Sequence, residues 1–476
     1  VAFTDGGILR RHGKLVVYNR HTGFWEHDGT RLVSKGIMND LPAVLEGERT
    51  RILAQDVDES AFEARDKLVG KIDKFKRQCG QTTKWAAVTK CVSANIDESD
   101  IEFDVHSPYL FAFKDSVVWD MRTGSTVPLD KEHYMTLHTG YDYAAVEDSQ
   151  VDTLTRWVQQ ILPEEEERQA MLTVLATGLT GVMLNRFIML SGEGGNGKGA
   201  LLSLYMAMLG NYGVGGSIGT LMKPLPDGGA PEVAGLNLRR VARYTEPPDG
   251  MKLELSTIKT LTGEPSFSGR ALFSNNTKVI NHATTIFECN ERPSINGRID
   301  AAAARRFVDI RFPVRYTARV DDPELLAGKP NVYLADRKYE SDEWKEENKH
   351  VLFELLRRFI LETPCAPEGI EVAPKLLAYT QRYLDDSNTG PEWFREHYVQ
   401  DENALPLKAK EVYAVFKDSD DYTNLTRDEK EGWRVRTFVD RLRTALGKDY
   451  KLTHYENGTN WGRSVIVGWR PRVDGE

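Results

Sequence analysis

Phe187-Ile188-Met189-Leu190-Ser191-Gly192-Glu193-Gly194-Gly195-Asn196-Gly197-Lys198-Gly199 is the stretch from which the 476-residue chain is read. Four apolar residues bounded by a glycine cluster predict a short buried strand. Ala200 to Leu209, closed by Gly210, predicts a helix. Between strand and helix, backbone N–H groups in a glycine turn point inward around a phosphate, with the positive end of the helix dipole behind them. A lysine in the spacing Gly192-x4-Gly197-Lys198 then reaches the β- and γ-phosphates of a nucleotide. Gly192, Gly194, Gly195, Asn196, Gly197, Lys198 and Gly199 are therefore the candidate phosphate-binding residues. The last position departs from the pattern, because Gly199 stands where Ser or Thr offers a hydroxyl to Mg²⁺. A glycine-rich surface turn with a solvated lysine is the competing reading, and the flanking strand and helix weigh against it. Nucleotide binding follows from the stretch; hydrolysis is left open.

Composition bounds the rest. At 40% hydrophobic residues the chain can bury several cores, and about three domains are expected. A formal charge of −9 excludes a surface that is basic all over, but not a groove or ring that concentrates Lys and Arg locally. The longest apolar stretch, Met171 to Leu184, is interrupted by Thr and Gly, so no bilayer-spanning segment is expected. Cys79, Cys91, Cys289 and Cys365 show no CxxC spacing, which argues against zinc and disulfides and for a reducing cytoplasm. The chain opens at Val1 without a cationic, apolar leader and is read as a piece of a longer polypeptide.

Residues from Val1 to about Tyr143 read as an α+β module. Leu15 to Tyr18 and Gly23 to Thr30 are expected as strands, Ala61 to Lys76 as a helix, and Tyr109 to Phe113 and Val117 to Asp120 as further strands. Trp25 and Trp119 offer faces for base stacking, but alternating strands more commonly bury their aromatics, and a core role is favoured. Val151 to Leu162 reads as a helix with Trp157, Val158 and Ile161 on one face. A second helix is expected from Pro163, its acidic run at the positive end of the dipole. Leu238 to Glu246 reads as a strand ending in an acid, the chemistry that holds Mg²⁺ and polarises an attacking water in phosphate-loop ATPases. Phe273 to Asn290 reads as a hairpin feeding a strand, with Asn290 able to orient a water toward a γ-phosphate. Arg305 and Arg306 follow a short helix, and an arginine there can reach across a subunit boundary.

This order of parts resembles the superfamily 3 helicases of phage, plasmid and large DNA virus primase-helicases. The resemblance covers roughly Leu15 to Pro313. It rests on Gly192 to Lys198, Glu246, the Lys259-Thr260-Leu261-Thr262-Gly263 box, Asn290, and Arg305-Arg306 ahead of a strand. The Trp25 segment and Tyr109 to Thr123 are also similar to that family's N-terminal module. The resemblance implies an α/β chain with an AAA+-type P-loop ATPase core that assembles as a hexameric ring. It further implies ATP and Mg²⁺ as cofactors, with Glu246 toward the metal. Lys198, Glu246 and Asn290 would act in cis and Arg306 or Arg305 in trans. The hairpin would grip single-stranded DNA through Lys278, then His282, and a primase-polymerase would be fused or associated upstream.

The expected divisions are an N-terminal module over 1–150, the core over 151–315, a helical connector over 316–385 and a small module over 386–476. The last follows a break at Asp385-Asp386-Ser387-Asn388-Thr389-Gly390-Pro391. Its helix, helix, hairpin order is that of a winged helix, with Arg434, Arg436, Arg441 and Arg443 either facing phosphates or simply solvated. Two functions remain open: a ring-forming ATP-driven DNA translocase, and a non-hydrolysing nucleotide-bound clamp or scaffold kept in play by Gly199.

Overall fold

The computed structural model describes residues 7–473 apart from 28, 57, 106, 227–230, 246, 249–250, 270–276, 297–298, 364–371, 424–429, 431–432, 447–450 and 455–463. The chain forms two compact units, one of Val1–Asp120 with Ser125–Tyr143 and one of Met121–Gly124 with Ala144–Glu476. In the first, β1 (Ile8–Arg11), β2 (Lys14–Asn19) and β3 (Phe24–Glu26) make an antiparallel sheet. Trp25 is buried, and its indole N–H donates to the Lys131 carbonyl at 2.8 Å, so it is a core residue with a satisfied polar tip. The strand expected to run to Thr30 stops at Glu26 and gives way to helix α1 (Gly29–Leu53). A Cβ at Gly29 would lie 2.4 Å from the Leu15 carbonyl oxygen, so the helix starts against β2 at a distance that only glycine permits. Helices α2 (Phe62–Cys79) and α3 (Thr82–Ala94) follow, then a second antiparallel sheet of β4 (Leu110–Ala112), β5 (Val118–Asp120) and β6 (Ser125–Val127). On β5, Trp119 is half-buried.

The second unit opens with α4 (Asp148–Ile161), which buries Val151, Leu154, Trp157, Val158 and Ile161 at helical spacing. Helix α5 (Glu165–Thr177) begins two residues after Pro163 rather than at it. The Arg168 guanidinium draws the preceding turn in by donating to the carbonyls of Leu162 and Pro163 at 2.8 and 2.9 Å. Then come β7 (Phe187–Ser191), α6 (Lys198–Leu209), β8 (Gly213–Gly215), α7 (Pro231–Ala234), β9 (Val241–Tyr244) and β10 (Lys252–Glu254). They are followed by α8 (Leu255–Gly263), β11 (Ser266–Gly269), β12 (Thr277–Ile280), β13 (Thr284–Glu288), β14 (Ser294–Asn296), α9 (Ala301–Ala304) and β15 (Phe307–Arg311). Five of the strands form an all-parallel sheet in the order β15-β7-β13-β9-β8. Phe187 and Met189 pack into a cluster with Ile258, Phe287 and Phe307, and the pleat turns Ile188 and Leu190 to the opposite face. All four are fully buried, as a strand covered on both sides requires.

The hairpin expected from Phe273 onward is set differently. Its arms are β11 and β12, with Ser266 opposite Ile280 and Gly269 opposite Thr277, so the first arm precedes Phe273. Phe267 and Val279 lie directly across from each other and pack into the same core, which sets the register.

The stretch from Arg315 to about Leu384 is expected to be helical. Instead β16 (Arg315–Thr317) and β17 (Val332–Leu334) pair in parallel around α10 (Pro323–Leu326). Arg315 bridges Asp322 and Glu324 at 2.8 and 2.9 Å and ties β16 to that helix. After α11 (Asp342–Glu362), helix α12 (Pro374–His397) runs straight through the segment read as a break. Burial explains this: Tyr383 and Leu384 join the sheet core, Trp393 and Phe394 join the C-terminal core, and one helix serves both. Beyond it lie β18 (Tyr398–Gln400), β19 (Leu407–Lys408), α13 (Ala409–Lys417), α14 (Asp420–Thr423), α15 (Val435–Leu446), β20 (Lys451–His454), β21 (Ser464–Val467) and β22 (Trp469–Pro471). They pair as β19-β21-β20 and β18-β22. Arg434 and Arg436 are exposed, Arg441 lies 4.1 Å over the Trp433 ring, and the Arg443 side chain lies outside the described residues.

One buried carboxyl joins these elements. Asp309 on β15 accepts from the Ser191 hydroxyl at 2.6 Å and pairs with Arg292 at 2.8 Å, while its backbone N–H donates to Thr380 on α12 at 3.0 Å. Arg292 in turn lies 4.0 Å over the Tyr379 ring. Burial pushes the Asp309 carboxyl up to about 6, against the pull of Arg292 and Ser191. Between the ordinary aspartate range and that value the native state holds more protons than the unfolded chain, so this group's contribution to stability falls as pH rises. Arg292→Ala is expected to cost about 3–5 kcal/mol at pH 8, where the carboxylate is left buried and unpaired. The loss is expected to be smaller at pH 5, where Asp309 is protonated. Urea unfolding of both proteins at the two pH values measures this, and a loss independent of pH would rule it out.

Candidate functional site

The connections of the sheet mark one place. From β7 the chain passes through α6 to the far edge at β8, whereas after β13 it crosses to β15 on the other side of β7. A crevice forms at the carboxyl ends of strands where connections diverge in this way. The glycine turn occupies it. Gly192 has φ +145°, and a Cβ there would meet the Phe312 carbonyl at 2.6 Å and the Asn196 amide nitrogen at 2.7 Å. Gly197, at φ +85°, is the N-cap of α6, and a Cβ would press on Ile161 at the end of α4. The turn is braced from outside by the Tyr316 N–H, which donates to the Gly195 carbonyl at 2.6 Å.

Within this frame Lys198 is 5% exposed. Its ammonium donates to the Gly192 carbonyl at 2.5 Å and to Asn290 Oδ1 at 3.3 Å. Burial lowers its pKa, opposed by the neighbouring Cys289, Glu288 and Asp309. A largely dehydrated ammonium gains most from a polyanion. Asn196 is buried, its Oδ1 accepts from the Lys198 N–H at 3.3 Å, and its Nδ2 has no partner among the described residues. Around them opens a cleft of about 650 Å³ lined by Gly194 to Ala200, Gly215, Gly216, Arg243, Thr245, Glu288, Cys289, Asn290 and Glu340. Burial pushes the Cys289 thiol up to about 12, so it stays protonated.

The structure therefore brings together the glycine turn with its Lys198 and, from a second stretch of sequence, Asn290. Glu246 lies outside the described residues. Arg305, Arg306 and His282 sit at the other end of the sheet, where the strands begin. Phe187 donates its N–H to the Arg306 carbonyl at 2.5 Å, and His282 precedes β13. Arg305 is exposed. Arg306 is held within its own chain: its guanidinium donates to the Thr262 hydroxyl at 3.1 Å, and a Cβ on Gly263 would meet it at 2.6 Å. The backbone of Lys278 is in β12, and its side chain lies outside the described residues.

Residue reading missed an ion pair inside the cleft. Arg243 Nε donates to Glu288 Oε1 at 2.5 Å, and its Nη1 donates to the Ser203 hydroxyl at 3.2 Å. A charge in the middle of Val241-Ala242-Arg243-Tyr244 was the available signal, since a strand covered on both faces carries one only with a partner. No group of three His, Cys, Asp or Glu residues among the described residues could hold a metal. No helix among them is long and apolar enough to cross a membrane.

Comparison with known proteins gives this geometry a context. Residues 7–163 match the family model described as D5 N terminal like. The uncoating factor OPG117 of Vaccinia virus (strain Western Reserve) is 30% identical over 246 residues, covering 48% of this chain and 31% of the relative. The putative helicase L207/L206 of Acanthamoeba polyphaga mimivirus is 23% identical over 387 residues, covering 78% and 39%. Primase D5 of Fowlpox virus (strain NVSL) is 28% identical over 200 residues, covering 39% and 25%. The chain thus spans between a quarter and two fifths of the length of these relatives. Among solved structures, the apo A form of the NrS-1 C-terminal region is 11% identical, with a TM-score of 0.38 over 81% of this chain and 90% of that one. The resemblance to viral proteins of the primase-helicase type is thereby established through the D5-like region and these relatives.

Gly192 in the turn and Gly199 in the first turn of α6 should respond oppositely to the same change. Gly192→Ala is expected to lower stability by about 1–3 kcal/mol, because a side chain is forced into strained backbone against Phe312. Gly199→Ala is expected to raise it by up to about 1 kcal/mol, since the position is helical and a Cβ there meets nothing within 4 Å. Thermal unfolding of both variants beside the wild type decides; equal melting temperatures would refute the assignment.

Proposed function

We propose, from this relatedness to viral primase-helicase proteins, that the chain is the ATP-dependent helicase part of a viral replication protein. In this reading residues 151–315 are an AAA+-type P-loop ATPase core and 1–150 an N-terminal module, with a helical connector over 316–385. Residues 386–476 are a winged-helix-like module whose exposed Arg434 and Arg436 lie toward nucleic acid. The observation that carries the proposal is the meeting of Lys198 with Asn290 at the mouth of the glycine turn. A lysine that binds phosphate and an asparagine that senses the terminal one must share such a place.

Nucleotide fits the residues present: Gly194, Gly195 and Gly197 line the cleft, Lys198 is poorly hydrated, and the Asn196 amide nitrogen has no partner among the described residues. Mg²⁺ carried on ATP would spread the charge of the phosphates. Glu246 is the proposed acid toward it, because Gly199 brings no hydroxyl. Arg305 and Arg306 lie far from their own cleft, so a role at the γ-phosphate requires a neighbouring subunit and hence a ring, proposed as a hexamer. Arg305 is the better placed of the two because Arg306 is held by Thr262. The β11–β12 hairpin would then grip single-stranded DNA through Lys278, with His282 second, and an attached primase-polymerase would supply the DNA's use. In this reading the work is done in the host cytoplasm.

A second reading, a nucleotide-bound clamp or scaffold that does not hydrolyse, is favoured by Gly199 alone. ATPase assays with and without single-stranded DNA separate the two. The motor reading expects DNA-stimulated turnover that Lys198→Ala reduces at least about 100-fold; equal rates in wild type and variant would end it. Gly199→Ser is expected to raise turnover if metal coordination limits it. Light scattering that finds only monomers at physiological salt would remove the in-trans arginine.

A further inference from the structure

Gly199 and Arg243 are best understood together. Ser203 lies four residues after Gly199 on α6, on the same face of the helix. The Arg243 guanidinium donates to the Ser203 hydroxyl at 3.2 Å, so it stands beside the face that Gly199 leaves bare. A Cβ built on Gly199 meets nothing within 4 Å, so the room for a hydroxyl-bearing side chain exists and is unused. Arg243 also lines the cleft with Lys198 and Asn290, and its side chain is 18% exposed. It is anchored by strand pairing on both sides, with Ile286 on β13 and Gly215 on β8 opposite it. The Gly216 N–H further donates to its carbonyl at 2.7 Å. Glu288 Oε1, at 2.5 Å, balances the charge.

We infer that Arg243 is a fixed cation of the phosphate site. It supplies within the chain part of the positive charge that a divalent metal supplies where Ser or Thr follows the lysine. A guanidinium is always charged and bonds phosphate oxygens through its planar fork. Binding of a nucleoside di- or triphosphate exchanges one anionic partner for another, Glu288 releasing the fork to the phosphates. The site consequently binds nucleotide with little dependence on Mg²⁺. This inference rests on the reading that the cleft takes nucleotide.

The test is equilibrium binding of a fluorescent ADP to the full chain, in excess EDTA and in Mg²⁺. The two wild-type affinities are expected to agree within about tenfold. Arg243→Gln is expected to weaken binding in EDTA at least about tenfold, through loss of a charge-assisted contact, and to matter less in Mg²⁺. Arg243→Lys, which keeps the charge, should retain most of the EDTA affinity. Glu288→Gln is expected to tighten binding in EDTA by freeing the guanidinium, whereas a purely structural ion pair predicts weaker binding from either partner's loss. Wild-type binding that appears in Mg²⁺ and is lost in EDTA overturns the inference and leaves the nucleotide reading standing. No binding in either condition overturns that reading itself.

Discussion

The parallel pairing of β7 with β13, which sets Leu190 opposite Glu288, is the constraint on which the site depends. It ends two strands at the same level, so that the turn after one and the residues after the other face each other. Asn290 could not reach the Lys198 ammonium from a strand slipped by a single residue, since a one-residue slip turns every side chain to the other face. The register is secured by burial, because Phe187, Ile188, Met189, Ile286 and Phe287 have no exposed surface. Close packing on both sides of the sheet leaves no alternative arrangement of comparable energy.

From that constraint the polar network follows. Ser191, the last residue of β7, carries a hydroxyl that reaches Asp309 on the next strand, and Asp309 reaches Arg292, two residues beyond Asn290. Arg292 rests on Tyr379 of α12, and α12 continues into the aromatic core of the C-terminal module through Trp393 and Phe394. The end of β7 and the C-terminal module are therefore joined through a short series of contacts, of which Ser191 and Asp309 are buried and Arg292 and Tyr379 half-buried.

The same economy appears at the opposite end of the sheet. The Thr262-Gly263 end of α8 receives the Arg306 guanidinium at a distance that a side chain at 263 would forbid. One arginine of the pair is thus a structural anchor, and its neighbour Arg305 is left at the surface. Two adjacent residues of identical chemistry are given different tasks by the helix they meet.

Much of this was legible in the residues. The strand, turn and helix from Phe187 to Leu209, the buried face of α4, and the core role of Trp25 rest on local periodicity and on glycine's freedom of φ, which neighbouring residues decide among themselves. Where tertiary contacts rule, local reading went astray. Gly29 begins a helix because β2 lies under it, α12 ignores its polar, proline-bearing middle because two cores need it, and β11 lies ahead of the expected arm because Phe267 finds Val279. The Arg243–Glu288 pair joins residues 45 apart in the chain, and no spacing rule connects them. By itself the sequence determined that a glycine turn joins a buried strand to a helix and which residues make it. Only the tertiary structure decided which distant charges would share that turn, because electrostatic partnership is set by proximity in space and the sheet alone creates it.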